Sequence, residues 1–191
     1  MWGYRRQPRG HKMLNDPVLK LATLRLSYFV LVLLVVMFQT LPLSTSPTYF
    51  IGPDLALLIT LTWIMHRPDV MAPALIALTL LLVDLVLQRP PGLWSLIVLS
   101  TGMFLRMRAD GFIEGIFLLE WAMASSIIAT CYLVYHFALL VTFLPTNDIS
   151  VVLIQALLTV AFYPLSSWIF RRLLSRKPIS PNDKNTSRVV R

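Results

Sequence analysis

The chain has 191 residues, 57% of them hydrophobic and only 14% charged, with a net charge of +8 and a mean hydropathy of +0.71. A soluble domain averages about 45–50% apolar and about 25% charged, and a chain of this length cannot enclose a core large enough to hide so much apolar surface from water. Nucleic acid is not the expected partner either, because the basic residues lie at the ends and in short loops, where membrane flanks carry them. The single cysteine, Cys131, lies in an apolar run. It cannot form an internal disulfide, and no Cys/His spacing resembles a zinc site.

Residues 1–16 are basic and irregular. Asp16-Pro17 is a helix start, Asp as cap and Pro at the first helical position. The apolar run that follows, to about Leu43, exceeds a signal-peptide core and is read as a retained first span facing lipid. A second span is expected over about Tyr49–Met65, with Tyr49, Phe50 and Trp63 as interfacial aromatics. His66-Arg67-Pro68-Asp69 turns the chain into a third span, about Val70–Gln88, which tolerates Pro73 in its first turn. After Arg89-Pro90-Pro91-Gly92 comes a fourth span, about Leu93–Leu105, short against the roughly 20 residues a straight crossing needs. Phe112–Leu144 is an apolar run of 33 residues, about 50 Å if helical. That is too long for one crossing, so an interfacial section with Glu114 and Glu120 is expected before a fifth span at about Trp121–Phe143. A sixth span follows at about Val151–Phe170, with Pro164 expected to kink it. The tail, residues 171–191, is basic and then Ser/Pro/Asn-rich, a composition that favours disorder.

The expected architecture is therefore all-α: a polytopic six-helix membrane domain, residues 17–170, between two basic termini. With six spans, sixteen of the seventeen Lys and Arg fall on the side of the termini and only Arg89 on the other. The positive-inside rule then puts both termini in the cytoplasm. No internal repeat of the kind common in secondary transporters is visible.

The hairpin Pro53–Gly92 organises this reading. Its stretches PDLALLITLTWIMHRPD and LLLVDLVLQRPPGLWSL resemble the bacterial rod shape-determining protein MreD family. In that pattern Pro and an acidic or amide residue open the second span (here Pro53, Asp54) and an aromatic lies near its end (Trp63). A Pro-containing turn follows (Pro68), then an Asp in the third span (Asp84) and a Gly eight residues later (Gly92). The likeness covers residues 50–105 by motif and the rest by layout. Relatives often carry glycines four residues before and after the Asp, where this chain has Leu80 and Gln88. The resemblance implies a non-enzymatic scaffold of the cell-elongation machinery that builds peptidoglycan. Its partners would be MreC, the MreB filament, RodA and the transpeptidase partner of RodA. It also implies a fold similar to the small substrate-binding subunits of energy-coupling-factor transporters, in the bacterial inner membrane.

Several residues carry a functional and a plainer reading. A carboxylate inside a membrane segment is costly, so Asp84 is a site candidate by default. It fixes the hairpin or meets a partner on the functional reading, and on the plainer one serves internal structure by reaching Arg89 or the turn amides. Glu114 and Glu120 are about 240° apart on a helix and do not share a face. They read as interfacial carboxylates near Arg106 and Arg108. His136 reads as a lone histidine hydrogen-bonded within the bundle. Ser125 and Ser126 have no base nearby, and no zincin, serine-hydrolase or Walker motif is present, so no enzyme and no cofactor is expected. The small residues Ala122, Ser126 and Thr130 repeat every four, as do Ser125 and Ala129. They form a close-packing face, either within the chain or for a partner's helix. Gly111 and Gly115 form a weaker instance. The alternative to the scaffold is a small-molecule or lipid-binding transporter subunit of the energy-coupling-factor type.

Overall fold

The structure is a computed structural model that describes residues 17–40, 52–109, 117–146 and 148–174. These form six helices: α1 (Pro17–Gln39), α2 (Leu55–His66), α3 (Pro73–Val86), α4 (Leu93–Ala109), α5 (Phe117–Val141) and α6 (Ile149–Leu174). Helices α1, α5 and α6 are each long and apolar enough to cross a membrane, whereas α2, α3 and α4 are shorter apolar helices. The expected N-terminal segment 1–16, Ser46, Tyr49, Phe50, Gly111, Glu114, Gly115, Asn147 and the tail from 175 lie outside the described residues.

Helix α2 is the axis of the bundle. It packs against α1, α3, α4 and α6, and nine of its 12 residues are buried. A helix that is apolar all round has no face to offer water and belongs inside. At 12 residues it spans only about 18 Å, less than a bilayer core of about 30 Å. A Cβ at Gly102 of α4 would lie 2.8 Å from Ile64 Cδ1, so a side chain there would make the end of the α2 isoleucine shift. The outer helices turn apolar residues outward, among them Leu26, Leu34, Leu133, Phe137 and Leu157, as surfaces against lipid do.

Both ends of the central hairpin are made by local chemistry. Helix α2 stops at Arg67, whose N–H bonds to Trp63 O at 2.8 Å, and the chain turns with Pro68 after Arg67 and Val70 N–H on Arg67 O at 3.1 Å. Proline at the second position of such a turn has its φ already set. Helix α3 ends in a paired closure: Arg89 N–H bonds to Asp84 O at 3.0 Å and Gln88 N–H to Leu85 O at 3.3 Å. This closure needs a left-handed residue, normally glycine, and Gln88 supplies it at φ 54°. Gly92, at φ 89°, then redirects the chain into α4.

Several boundaries depart from the sequence-based expectation. Helix α2 begins six residues later than Tyr49, and α4 continues through Arg106 to Ala109. Residues 117–120 are the first turn of α5, continuous with the expected fifth span. Helix α6 is continuous through Pro164 and runs past Phe170 to Leu174, taking the start of the expected tail with it. Trp63 faces inward: it is 2% exposed, with its ring 5.6 Å from Tyr28 of α1 and 5.4 Å from Phe170 of α6.

Candidate functional site: two buried polar clusters and a cavity

Buried charges gather at the two ends of α2. At its N-terminus Asp54 is the cap, accepting from Leu57 N–H at 3.0 Å. An aspartate there satisfies one of the free amides of the first turn. Its other oxygen, Oδ2, takes both Nη1 and Nη2 of Arg89 at 3.2 Å. The Asp54 backbone N–H donates to Thr159 Oγ1 of α6 at 3.1 Å, and Tyr132 of α5 lies 3.5 Å from the same hydroxyl. Pro53 O accepts from Gln39 of α1 at 3.2 Å. Asp54 and its neighbour thus tie α1, α2, α6 and the α3–α4 turn together. The Arg89 guanidinium also sits 5.2 Å from the Trp94 ring.

Asp84 lies one turn from the end of α3 and is fully buried. Its Oδ2 accepts from Gly92 N–H at 3.1 Å, Ser95 N–H at 3.2 Å and Ser95 Oγ at 2.6 Å. The turn amides and a serine hold it, while Arg89 is drawn instead to Asp54. Asp84 therefore pins the start of α4 to the end of α3. Its second oxygen, Oδ1, and the Trp94 indole N–H are buried without a hydrogen-bond partner among the described residues.

The second cluster was not visible from local sequence. Glu120, expected near Arg106 and Arg108 at an interface, is 5% exposed. It pairs with Arg171 and accepts from Tyr163 Oη at 2.9 Å and Ser167 Oγ at 3.0 Å. Arg106 instead donates to Met71 O at 2.9 Å. His66 places Nδ1 2.9 Å from Thr62 O and accepts at Nε2 from Arg171 at 3.2 Å. The same Nε2 lies 3.5 Å from Glu120 Oε1, so His66, Glu120 and Arg171 meet at the C-terminal end of α2.

One signal could have located these contacts. Gln155, Thr159, Tyr163, Ser167 and Arg171 repeat every four residues along α6. Residues four apart share a helix face, so the spacing aligns one polar stripe through an otherwise apolar helix. In the structure this stripe meets Asp54 at Thr159 and Glu120 at Tyr163, Ser167 and Arg171.

The face Ala122, Ser126 and Thr130 does not pack inside the chain. All three are exposed, and α5 buries Ala124, Ile128 and Cys131 instead. The Ser126 and Thr130 hydroxyls donate to Ala122 O and Ser126 O, both at 2.8 Å, leaving a smooth outward surface. Ser125 donates to Trp121 O. None of these serines is activated, and no group of three potential metal ligands occurs among the described residues.

A cavity of about 750 Å³ opens at the end of the bundle where α3 turns into α4. Its walls include Arg89, Trp94, Tyr132, Tyr135, His136 and Gln155. His136 is half-buried there, a position on a cavity wall rather than within the packed bundle. The chain is thus a helical protein with three helices fit to cross a membrane, and its buried carboxylates Asp54, Asp84 and Glu120 are each held by hydrogen bonds from another helix or turn. Compared with known proteins, it matches no family model, no curated protein and no solved structure.

Proposed function

We propose that this chain is a non-enzymatic scaffold of the bacterial inner membrane, with six spans and both termini in the cytoplasm, acting in the cell-elongation machinery as the resemblance to the MreD family implies. On this reading it docks MreC by helix packing, and through MreC holds RodA and its transpeptidase partner beside the MreB filament. The energy-coupling-factor-like fold is part of the same proposal.

The observation that carries it is the outward small-residue face of α5. In lipid, helices gain little hydrophobic drive from one another and associate through close backbone approach. Ala122, Ser126 and Thr130 offer such an approach, with their hydroxyls already bonded within the helix. The charge distribution supports the topology. Arg25 donates to Val70 O and Arg106 to Met71 O, both in the α2–α3 turn, and Arg171 reaches His66 beside it. Arg89 stands at the opposite end.

The test is capture of co-expressed MreC by Ser126→Leu. Because Ser126 is exposed, the variant should melt within about 0.5 kcal/mol of wild type, as surface substitutions do, while capture falls several-fold. Capture that survives both Ser126→Leu and Ala122→Leu, or wild type that captures no MreC, would overturn the docking reading.

A further inference from the structure

We infer that the cavity at the α3–α4 turn is a binding site for an anionic amphiphile: a phosphate or carboxylate group carried on an apolar body. The reasoning starts from the asymmetry of the Asp54–Arg89 pair. The Asp54 side chain is 2% exposed and the Arg89 side chain 22%. Arg89 lines the cavity and Asp54 does not, so the pair presents its cationic partner to the cavity and buries the anion behind it. A guanidinium has five N–H donors, and the bonds to Asp54 use two of them.

Among the described residues, no Asp or Glu lines the cavity. Asp84 is sealed within the turn, and Asp148 lies exposed before α6 outside the wall. Helices α4 and α6 begin at this end while α3 and α5 end there, so the helix dipoles offset one another and the Arg89 guanidinium is the fixed charge on the wall. Gln155 and His136 supply further polar side chains. The remaining surface is aromatic and aliphatic, including Tyr135, Leu139 and Val152. The volume falls within the roughly 300–1,000 Å³ of small-molecule sites. Such a wall binds an acceptor-rich head with an apolar continuation and disfavours cations. A membrane lipid headgroup and a free amphiphile share this chemistry.

This assignment is independent of the scaffold reading, and its test uses the purified full chain without MreC. Decyl phosphate is titrated in a neutral detergent, with decanol and inorganic phosphate as controls. Saturable binding is expected, at least about tenfold tighter than either control, the scale of one charge-assisted hydrogen bond. Arg89→Lys should retain binding within about threefold, and Arg89→Gln should lose tenfold or more. Because Arg89→Gln also strips Asp54 of its partner, Val152→Phe provides the second arm. It places a ring on the α6 wall of the cavity without touching the ion pair, should leave the chain folded, and should weaken binding several-fold. Equal binding of decanol, or undiminished binding in a well-folded Val152→Phe, would overturn the site. In nanodiscs, competition by phosphatidylglycerol but not phosphatidylcholine assigns a lipid headgroup as the occupant. Decyl phosphate binding unaffected by either lipid assigns a free amphiphile.

Discussion

Replacing Asp54 separates two contributions that the structure places on one side chain. Asp54→Ala removes the α2 cap, about 1 kcal/mol, and leaves Arg89 without its carboxylate. Breaking a buried pair costs about 3–5 kcal/mol when the stranded charge cannot reach water. The Arg89 side chain is 22% exposed and borders the cavity, so solvent recovers part of that, leaving about 1–2 kcal/mol. The sum is about 2–3 kcal/mol. Asp54→Asn keeps a capping oxygen and should lose only the charge contribution. Arg89→Gln should be worse than Asp54→Asn, at about 3 kcal/mol, because it strands a carboxylate that is 2% exposed. Cys131 provides the assay: it is free and fully buried, and a thiol-reactive fluorogenic dye in detergent reports its exposure on melting. At about 2–4 °C per kcal/mol for a chain of this size, Asp54→Ala should melt roughly 4–12 °C lower. An Asp54→Ala shift under about 1 °C, or Arg89→Gln milder than Asp54→Asn, would refute the reasoning.

Asp84→Asn should cost less than about 1 kcal/mol, because one amide oxygen can take over the three bonds that Oδ2 accepts. Asp84→Leu should cost about 3 kcal/mol by leaving the Gly92 and Ser95 donors unpaired; equal losses in the thiol-dye melt would show that charge, not acceptor geometry, holds the turn. Gln88→Gly should stabilise by up to about 1 kcal/mol, since a residue with a Cβ at φ 54° carries left-handed strain that glycine lacks; a lower melting temperature would contradict this. For the six-span topology, single cysteines at Ser46 and Asn147 in a chain lacking Cys131 should react with an impermeant reagent on intact cells. Those at His66 and Arg108 should not, and labelling of either of these two would break the topology.

The sequence by itself determined the helical character of the chain and the membrane scale of its outer helices, because composition and run length act residue by residue. It also marked the turns. Pro68 and Gly92 are local events, written in adjacent residues and made in the structure where their spacing puts them, whereas the Asp54 cap lies inside the run expected to be helical from Tyr49. Charge pairing was not local. Asp84 and Arg89 are neighbours in sequence, yet Arg89 bonds to Asp54, 35 residues away, because the α3 closure aims its side chain across Trp94 toward the start of α2. Glu120 looked interfacial until α6 brought Tyr163, Ser167 and Arg171 against it. The exposed side of α5 was equally unreadable, since two small-residue repeats and an Ala/Ile/Cys face share one helix and only packing against α4 and α6 selects which is buried. A helix that is apolar on every side carries no record of its orientation, and tertiary contact supplies what periodicity lacks.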